Sequence, residues 1–282
     1  MKHQLKVMVR GAYDLQKLRT QTGNRIAANF RSKLGLAPSD SEEELEKDGK
    51  KILDDLRTRY KRITDGLVQL PSPRTFKGDE VISSYTELCL VAQYVEWDKL
   101  EKQHFYRMGN VLKDFPIYTE FLEGIRGIGP AMAGVIISEI DIEKARYPSS
   151  LWKYAGLDVG PDGRGRSRRK EHLVKVNYKD RDGKDAERNS ITFNPFLKTK
   201  LIGVLATSFL RSGSDYRSYY DDYKHRLETD PKREDWTKSR RHNAALRYMV
   251  KMFLIDLYKA WRALEGLHVA PPYSEAKLTM KP

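Results

Sequence analysis

Gly127-Ile128-Gly129-Pro130 stands between Phe121-Leu122 and the apolar stretch Ala131-Met132-Ala133-Gly134-Val135-Ile136-Ile137. No other feature constrains this chain as much. Glycines on either side of one isoleucine admit backbone torsions closed to other residues. A proline at a first helical position gives up only a donor that would lack a partner there. The pattern predicts a helix, a tight hairpin and a second helix, with Ile128 filling the space between them. The amides of Gly127 to Gly129 and the positive end of the second helix would then face an anion. Such main-chain contacts hold a sugar-phosphate backbone of any sequence. A plain turn between two helices accounts for the same residues. No strand pattern precedes the segment and no Gly-Lys-Ser/Thr follows it, which argues against a nucleotide-binding loop.

Helical spacing runs through most of the chain. Leu5, Met8, Val9, Ala12, Leu15 and Leu18 recur at steps of three and four, as one helical face requires. Gly35 and Pro38 end that segment, and Ser39-Asp40-Ser41-Glu42-Glu43-Glu44 offers an N-cap with acids in the first turn. A second helix continues to about Gln69. After a break at Pro71, Pro73 and Gly78, a third starts near Asp79. Val81, Tyr85, Leu88, Ala92 and Val95 form its seam, and Lys99 interrupts the strict pattern, so helix packing is expected rather than a long coiled coil. Residues 173–193 are the best candidate for short strands, around the turn-prone Asp180-Arg181-Asp182-Gly183. Asn194-Pro195 caps a helix running to Gly213, and a last helix spans about 238–265. The expectation is a mainly α protein: a long-helix bundle over 1–115, a helical domain with a helix-hairpin-helix and a basic loop over 116–273, and a tail at 274–282.

Charge separates the two halves. Of the net +13, residues 1–120 carry +3 and residues 121–282 carry +10. A surface of this kind favours polyanions, because each neutralised phosphate releases a condensed counterion. The sharpest cluster is Arg164, Arg166, Arg168, Arg169 and Lys170, five cations in seven residues. It reads either as a solvated loop or as a grip on phosphate. Arg240, Arg247, Lys251 and Arg262 fall on one side of the last helix, again as a solvated face or a binding one. Tyr216, Tyr219, Tyr220 and Tyr223 cluster without the arginine and histidine set that a tyrosine nucleophile needs, and packing is their better reading. His242 lacks metal-ligand company. The single cysteine, Cys89, excludes an internal disulfide framework and is expected in the core. No apolar run approaches the length of a membrane span, which suggests a cytoplasmic, nucleoid-associated protein.

From Phe121 to Tyr273 the sequence resembles the C-terminal domain of insertion sequence 110/116/902 transposases. The resemblance rests on Gly124 to Pro130, Ser138-Glu139-Ile140, Leu151-Trp152-Lys153-Tyr154-Ala155-Gly156-Leu157, Asn194 to Leu201, Tyr216 to Arg226, and Pro271-Pro272-Tyr273. It implies a site-specific DNA recombinase of a mobile element. In that family a RuvC-like domain holds magnesium on four acids, a serine is the nucleophile, and characterised relatives are guided by a structured RNA. This chain departs from the pattern twice. Residues 1–115 lack the alternating strand of a RuvC-like fold, and Asp54, Asp55 and Glu101 fall on helical faces as solvated acids. Magnesium is then expected only with a catalytic partner. Where the family serine would lie, the chain has Gly160-Pro161-Asp162-Gly163, and Ser167 is the nearest substitute. Ser167 is either a nucleophile activated by flanking cations or a linker residue in a basic loop.

The sequence thus predicts a transposase-family protein that contacts double-stranded or branched DNA, with a guide RNA as a further partner and a homo-oligomer through the N-terminal helices. A non-catalytic architectural or repair-associated DNA-binding protein is the alternative, and a helical interaction protein a third.

Overall fold

The computed structural model describes residues 1–33, 35 and 42–271. Pro38, the expected cap at Ser39-Asp40-Ser41, the Pro272-Tyr273 pair and the tail from 274 lie outside the described residues. The chain is mainly α-helical and divides into two compact units, residues 7–107 and residues 1–6 with 108 onward.

Residues 7–107 are built on α1 (Lys2–Lys33), α2 (Glu42–Thr64) and α3 (Tyr85–Leu112). Ile26 and Phe30 of α1, Leu56 of α2, and Leu88, Val91 and Tyr94 of α3 bury together with Ile82. The α1 stripe holds through the buried Leu5, Val9 and Ala12, but Leu18 is exposed. Each step of three falls about 60° short of a turn, so Ala12, Leu15, Leu18 drifts off the face, and the stripe continues through Thr22 and Ile26. Helix α2 stops at Thr64, short of Gln69, because Gly66 takes a left-handed conformation just past its end. Helix α3 starts at Tyr85 rather than Asp79. The Asp79 carboxylate accepts the Val81 and Ile82 amides in a turn of its own. The actual cap is Ser84, whose hydroxyl accepts the Glu87 amide while the Glu87 carboxylate accepts the Ser83 and Ser84 amides. This reciprocal capping box uses up backbone donors that the helix start leaves open. Glu101 is buried rather than solvated, taking bonds from Arg19 and Gln16. Cys89 is half-buried.

In the second unit, a helical turn at Tyr118–Leu122 leads through a bend to α4 (Pro130–Glu139) and α5 (Pro148–Tyr154). Strands β1 (Val174–Lys179) and β2 (Asp185–Ser190) form an antiparallel ribbon, with Val174 opposite Ser190 and Lys179 opposite Asp185. Then come α6 (Pro195–Thr199), a wider π-helical stretch over Lys200–Leu205, α7 (Ala206–Ser212), α8 (Arg217–Thr229) and α9 (Lys238–Leu264). Proline begins α4, α5 and α6, where its missing donor is harmless. Asn194 caps α6 by accepting the Leu197 amide, and left-handed Gly213 ends α7. The apolar face of α9, through Leu246, Met249, Val250, Phe253, Leu254, Leu257 and Trp261, is buried. Phe253 packs edge-on to Phe209 and Tyr216. Each such large side chain contributes roughly 1.5–3 kcal/mol by leaving water. Three of the stretches on which the resemblance rests meet at one side chain. Asn194 donates to the buried Glu139 carboxylate and to the Tyr154 hydroxyl, and its backbone amide donates to the Tyr154 carbonyl. Gly156 permits this, because Phe193 fills the space that its Cβ would need.

Candidate nucleic-acid interface

Residues 158–173 form a doubled-back loop set against α9. Arg166 donates its amide to the Asp158 carbonyl, the Gly160 amide donates to the Arg164 carbonyl, and Val159 bridges Gly165. Gly163 turns the loop with a positive φ. Gly165 matters for another reason: a Cβ there would stand 2.8 Å from the Arg247 guanidinium. Only glycine lets the side chain from α9 lie flat against the loop backbone.

That contact joins the two basic segments. Arg164, Arg166 and Arg169 from the loop, Lys198 from α6, and Arg240 and Arg247 from α9 line one open groove of about 730 Å³, with Ser167, Trp236 and Asn243. Two of these cations have carboxylate partners: Arg166 donates through Nε and Nη2 to Asp158, and Arg169 pairs with Asp162. Arg164, Lys198, Arg240 and Arg247 have none among the described residues. Among the described residues, Asp235 is the only acid on the groove lining. Arg240 lies 4.0 Å from the centre of the Trp236 ring, which holds its planar head in place. Burial pushes Lys198 below the ordinary lysine value, and the neighbouring Arg247 lowers it further. Arg247 is itself lowered, first by burial and then by Arg240. Packing like charges into a half-buried groove is unfavourable unless an anion joins them.

The other expected residues divide. Arg168 and Lys170 are exposed and do not line the groove. Lys251 lies next to it, in a smaller cleft with Tyr223, Tyr248 and Trp236. Arg262 is no binding residue. It is buried and donates to the carbonyls of Ile142, Ala145 and His268, tying the end of α9 to the α4–α5 connection. The tyrosines pack: Tyr216 against Phe209, and Tyr223 stacked on Tyr248. Burial, followed by Asp256, raises the Tyr216 hydroxyl far above its ordinary value, the opposite of what a nucleophile needs.

At the bend, Gly127 has a φ of 98° and Ile128 is buried. Two details differ from the expectation of free glycine amides facing an anion. The Ile128 amide is taken by the Ile125 carbonyl, and Gly127 is packed on α7, where Ser208 donates to its carbonyl. A Cβ at Gly127 would come within 2.7 Å of the Ser212 hydroxyl. Gly129 is exposed, and nothing stands within 4 Å of where its Cβ would be. Its amide has no acceptor among the described residues. A cleft beside the bend is lined by Asp215 and Asp256 as well as Arg126, a mixed lining that does not suit phosphate.

Ser167 reaches the groove with partners that were not foreseen. Its hydroxyl is 3.0 Å from His172 Nδ1, and its amide donates to the same nitrogen at 2.9 Å. His172 Nε2 is 3.0 Å from Asp162 Oδ1. Arg169 Nε donates to the Ser167 hydroxyl at 3.1 Å. Asp162 is held below the usual carboxylate range, chiefly by the Arg164 amide, with His172 and Arg169 adding to it. A 3₁₀ turn over Lys170–His172 brings the imidazole back under the serine. Sequence reading passed over His172, although its spacing of five from Ser167 was available as a signal.

Magnesium does not fit Asp54, Asp55 and Glu101, the acids considered from sequence. Asp54 and Asp55 pair with Arg57 and Arg59 one turn away, Glu101 is committed to Arg19, and no group of three or more His, Cys, Asp or Glu converges among the described residues.

The fold and groove define a mainly helical protein whose second unit concentrates cations around a serine. Residues 119–179 match the model of the transposase IS116/IS110/IS902 family. The match includes the bend, the Ala155-Gly156-Leu157 segment, the basic loop, Ser167 and His172, and supports a transposase-type function. Residues 194–201 and 216–226 lie beyond it. The chain matches no curated protein and no solved structure. Among the described residues no helix is long and apolar enough to cross a membrane.

Proposed function

We propose that the groove between the basic loop and α9 binds the phosphodiester backbone of DNA at the ends of a mobile element, as part of site-specific recombination. One observation carries this reading: among the described residues, six cations from three separate segments line a single groove that contains one acid. Four of them lack a carboxylate partner, so phosphate oxygens are their natural counter-charge. Guanidinium forks favour the backbone, and the open shape suits a strand rather than a small molecule. The exposed Gly129 amide at the start of α4 supplies a second phosphate contact, the part of the expected hairpin grip that the packing of Gly127 leaves available.

Fluorescence anisotropy with duplex, branched and single-stranded DNA, and with RNA, at several salt concentrations tests the reading. Duplexes of unrelated sequence should bind with similar affinity, and binding should weaken steeply with salt. Absence of binding at low salt, or binding indifferent to salt, would overturn it.

A further inference from the structure

We propose that the small cleft beside the groove receives one unpaired nucleotide of the DNA strand held there, with its base against an aromatic wall and its acceptor atoms on Lys251 and Arg247. The proposal rests on the groove binding DNA and adds which form of DNA is preferred.

The cleft shares its wall with the groove. Gly163, Trp236 and Arg247 line both spaces. Trp236 is the partition: Arg240, on the groove lining, lies 4.0 Å from its ring centre, and Arg233, on the cleft lining, lies 5.1 Å from it. A strand whose phosphates follow Arg240 and Arg247 therefore passes beside the cleft.

The lining has an aromatic part and a cationic part. Tyr223 of α8 and Tyr248 of α9 stack on one another at 4.3 Å, with their planes 12° apart, which fixes both rings. A wall of this kind suits any base, since every base has a π-face. The Lys251 ammonium lies 5.2 Å from the centre of the Trp152 ring and has neither a hydrogen-bond acceptor nor a carboxylate partner among the described residues. Burial pushes it below the ordinary lysine value, and Arg247 lowers it further. Among the described residues no acid lines the cleft. A half-buried cation of this kind is unfavourable until a ligand brings it an acceptor.

Size and chemistry name the occupant. The cleft holds about 260 Å³, below the roughly 300–1,000 Å³ of sites for drug-sized molecules, which suits one nucleotide rather than a base pair. A phosphate alone would leave the aromatic wall unused, and an aromatic ligand without acceptors would leave Lys251 unpaired. A nucleobase uses both. Lysine and arginine only donate, so the favoured base shows adjacent acceptors, as guanine does with N7 and O6. Adenine puts a donor beside its N7 and fits less well. Paired bases stay in the duplex stack, so an unpaired base enters at the least cost.

The test uses the full chain and one labelled duplex in two forms, fully paired and carrying a single unpaired guanine, titrated by fluorescence anisotropy. The wild type should bind the bulged form about 10-fold more tightly, as expected for one stacked base, and an unpaired adenine should gain less. Lys251→Met keeps the buried stem and removes only the charge, while Tyr223→Leu removes one ring. Each should bring the affinities of the bulged and paired forms together, whereas damage to the fold would weaken both alike. With 5-iododeoxyuridine at the unpaired position, photo-cross-links mapped by peptide mass spectrometry should fall on Tyr223, Trp236 or Tyr248. Equal binding of the two forms by the wild type, a preference undiminished in both variants, or cross-links outside the cleft overturns the assignment. A preference shown only by a bulged RNA duplex of the same sequence overturns the choice of DNA. Binding of neither DNA form refutes the groove reading, and the cleft falls with it; equal binding of both refutes the cleft alone.

Discussion

The salt dependence of DNA binding can be worked out from the groove. Arg164, Lys198, Arg240 and Arg247 line it without a carboxylate partner among the described residues. If each neutralises one phosphate of a duplex, the slope of log K against log salt is about −3.6, taking about 0.9 per contact. Affinity should then fall roughly 150-fold between 50 and 200 mM salt. The double variant Arg164→Gln/Arg240→Gln removes two of the four contacts. Its slope should be about −1.8, and the same change in salt should weaken it only about 12-fold. Neither substitution removes an ion pair. Arg240 loses its stacking on Trp236, worth about 0.5–1 kcal/mol, so the fold survives, as thermal unfolding will show. Anisotropy titrations with one labelled duplex at five salt concentrations give both slopes. If the double variant loses as much affinity as the wild type over that range, these arginines do not contact phosphate.

Four further outcomes follow from individual contacts. Gly127→Ala places a Cβ 2.7 Å from Ser212 and on a backbone with φ of 98°, so it should lower stability by about 1–3 kcal/mol in urea unfolding. Gly129→Ala meets nothing within 4 Å, so its stability should stay within about 0.5 kcal/mol of wild type, and any loss of DNA affinity then reports phosphate access alone. Arg262→Ala leaves the carbonyls of Ile142, Ala145 and His268 without their donor; it should cost about 3 kcal/mol or more and leave the slope of DNA binding unchanged. Burial of Glu87 opposes its charge, but the Ser83 amide, Lys33 and the Ser84 amide outweigh it, so its carboxyl is lowered. A lowered carboxyl stabilises the fold above its unfolded value near 4.3, and that contribution is lost as pH falls. The stability gap between wild type and Glu87→Gln should therefore be open at pH 7 and close in acid.

Much of the fold was legible because its signals are local. Pro130, Pro195 and Gly213 act where a proline start and a glycine stop are expected, and Asp180 to Gly183 turn a real β-ribbon. Boundaries failed where a side chain competed for backbone amides, as Asp79 does before α3. The groove was half legible. Its arginines were named from sequence, but their meeting depends on Gly165 admitting Arg247, a contact across 82 positions that no spacing rule encodes. Lys198 and His172 were missed for related reasons. Lys198 is an isolated lysine in a helix, and His172 becomes significant only once the 3₁₀ turn brings it back to Ser167. Arg262 was over-read, since position on a helical face does not distinguish a solvated guanidinium from one buried on carbonyls.

The groove's occupancy by a nucleic-acid backbone can be measured with a cysteine at Asn243, on the groove lining, in a Cys89→Ser background, and duplex DNA bearing a thioalkyl group on one phosphate. Disulfide cross-linking should be fast at Asn243→Cys and slow at Glu228→Cys, an exposed position on α8 outside the groove. Equal cross-linking at the two positions would contradict phosphate binding in the groove.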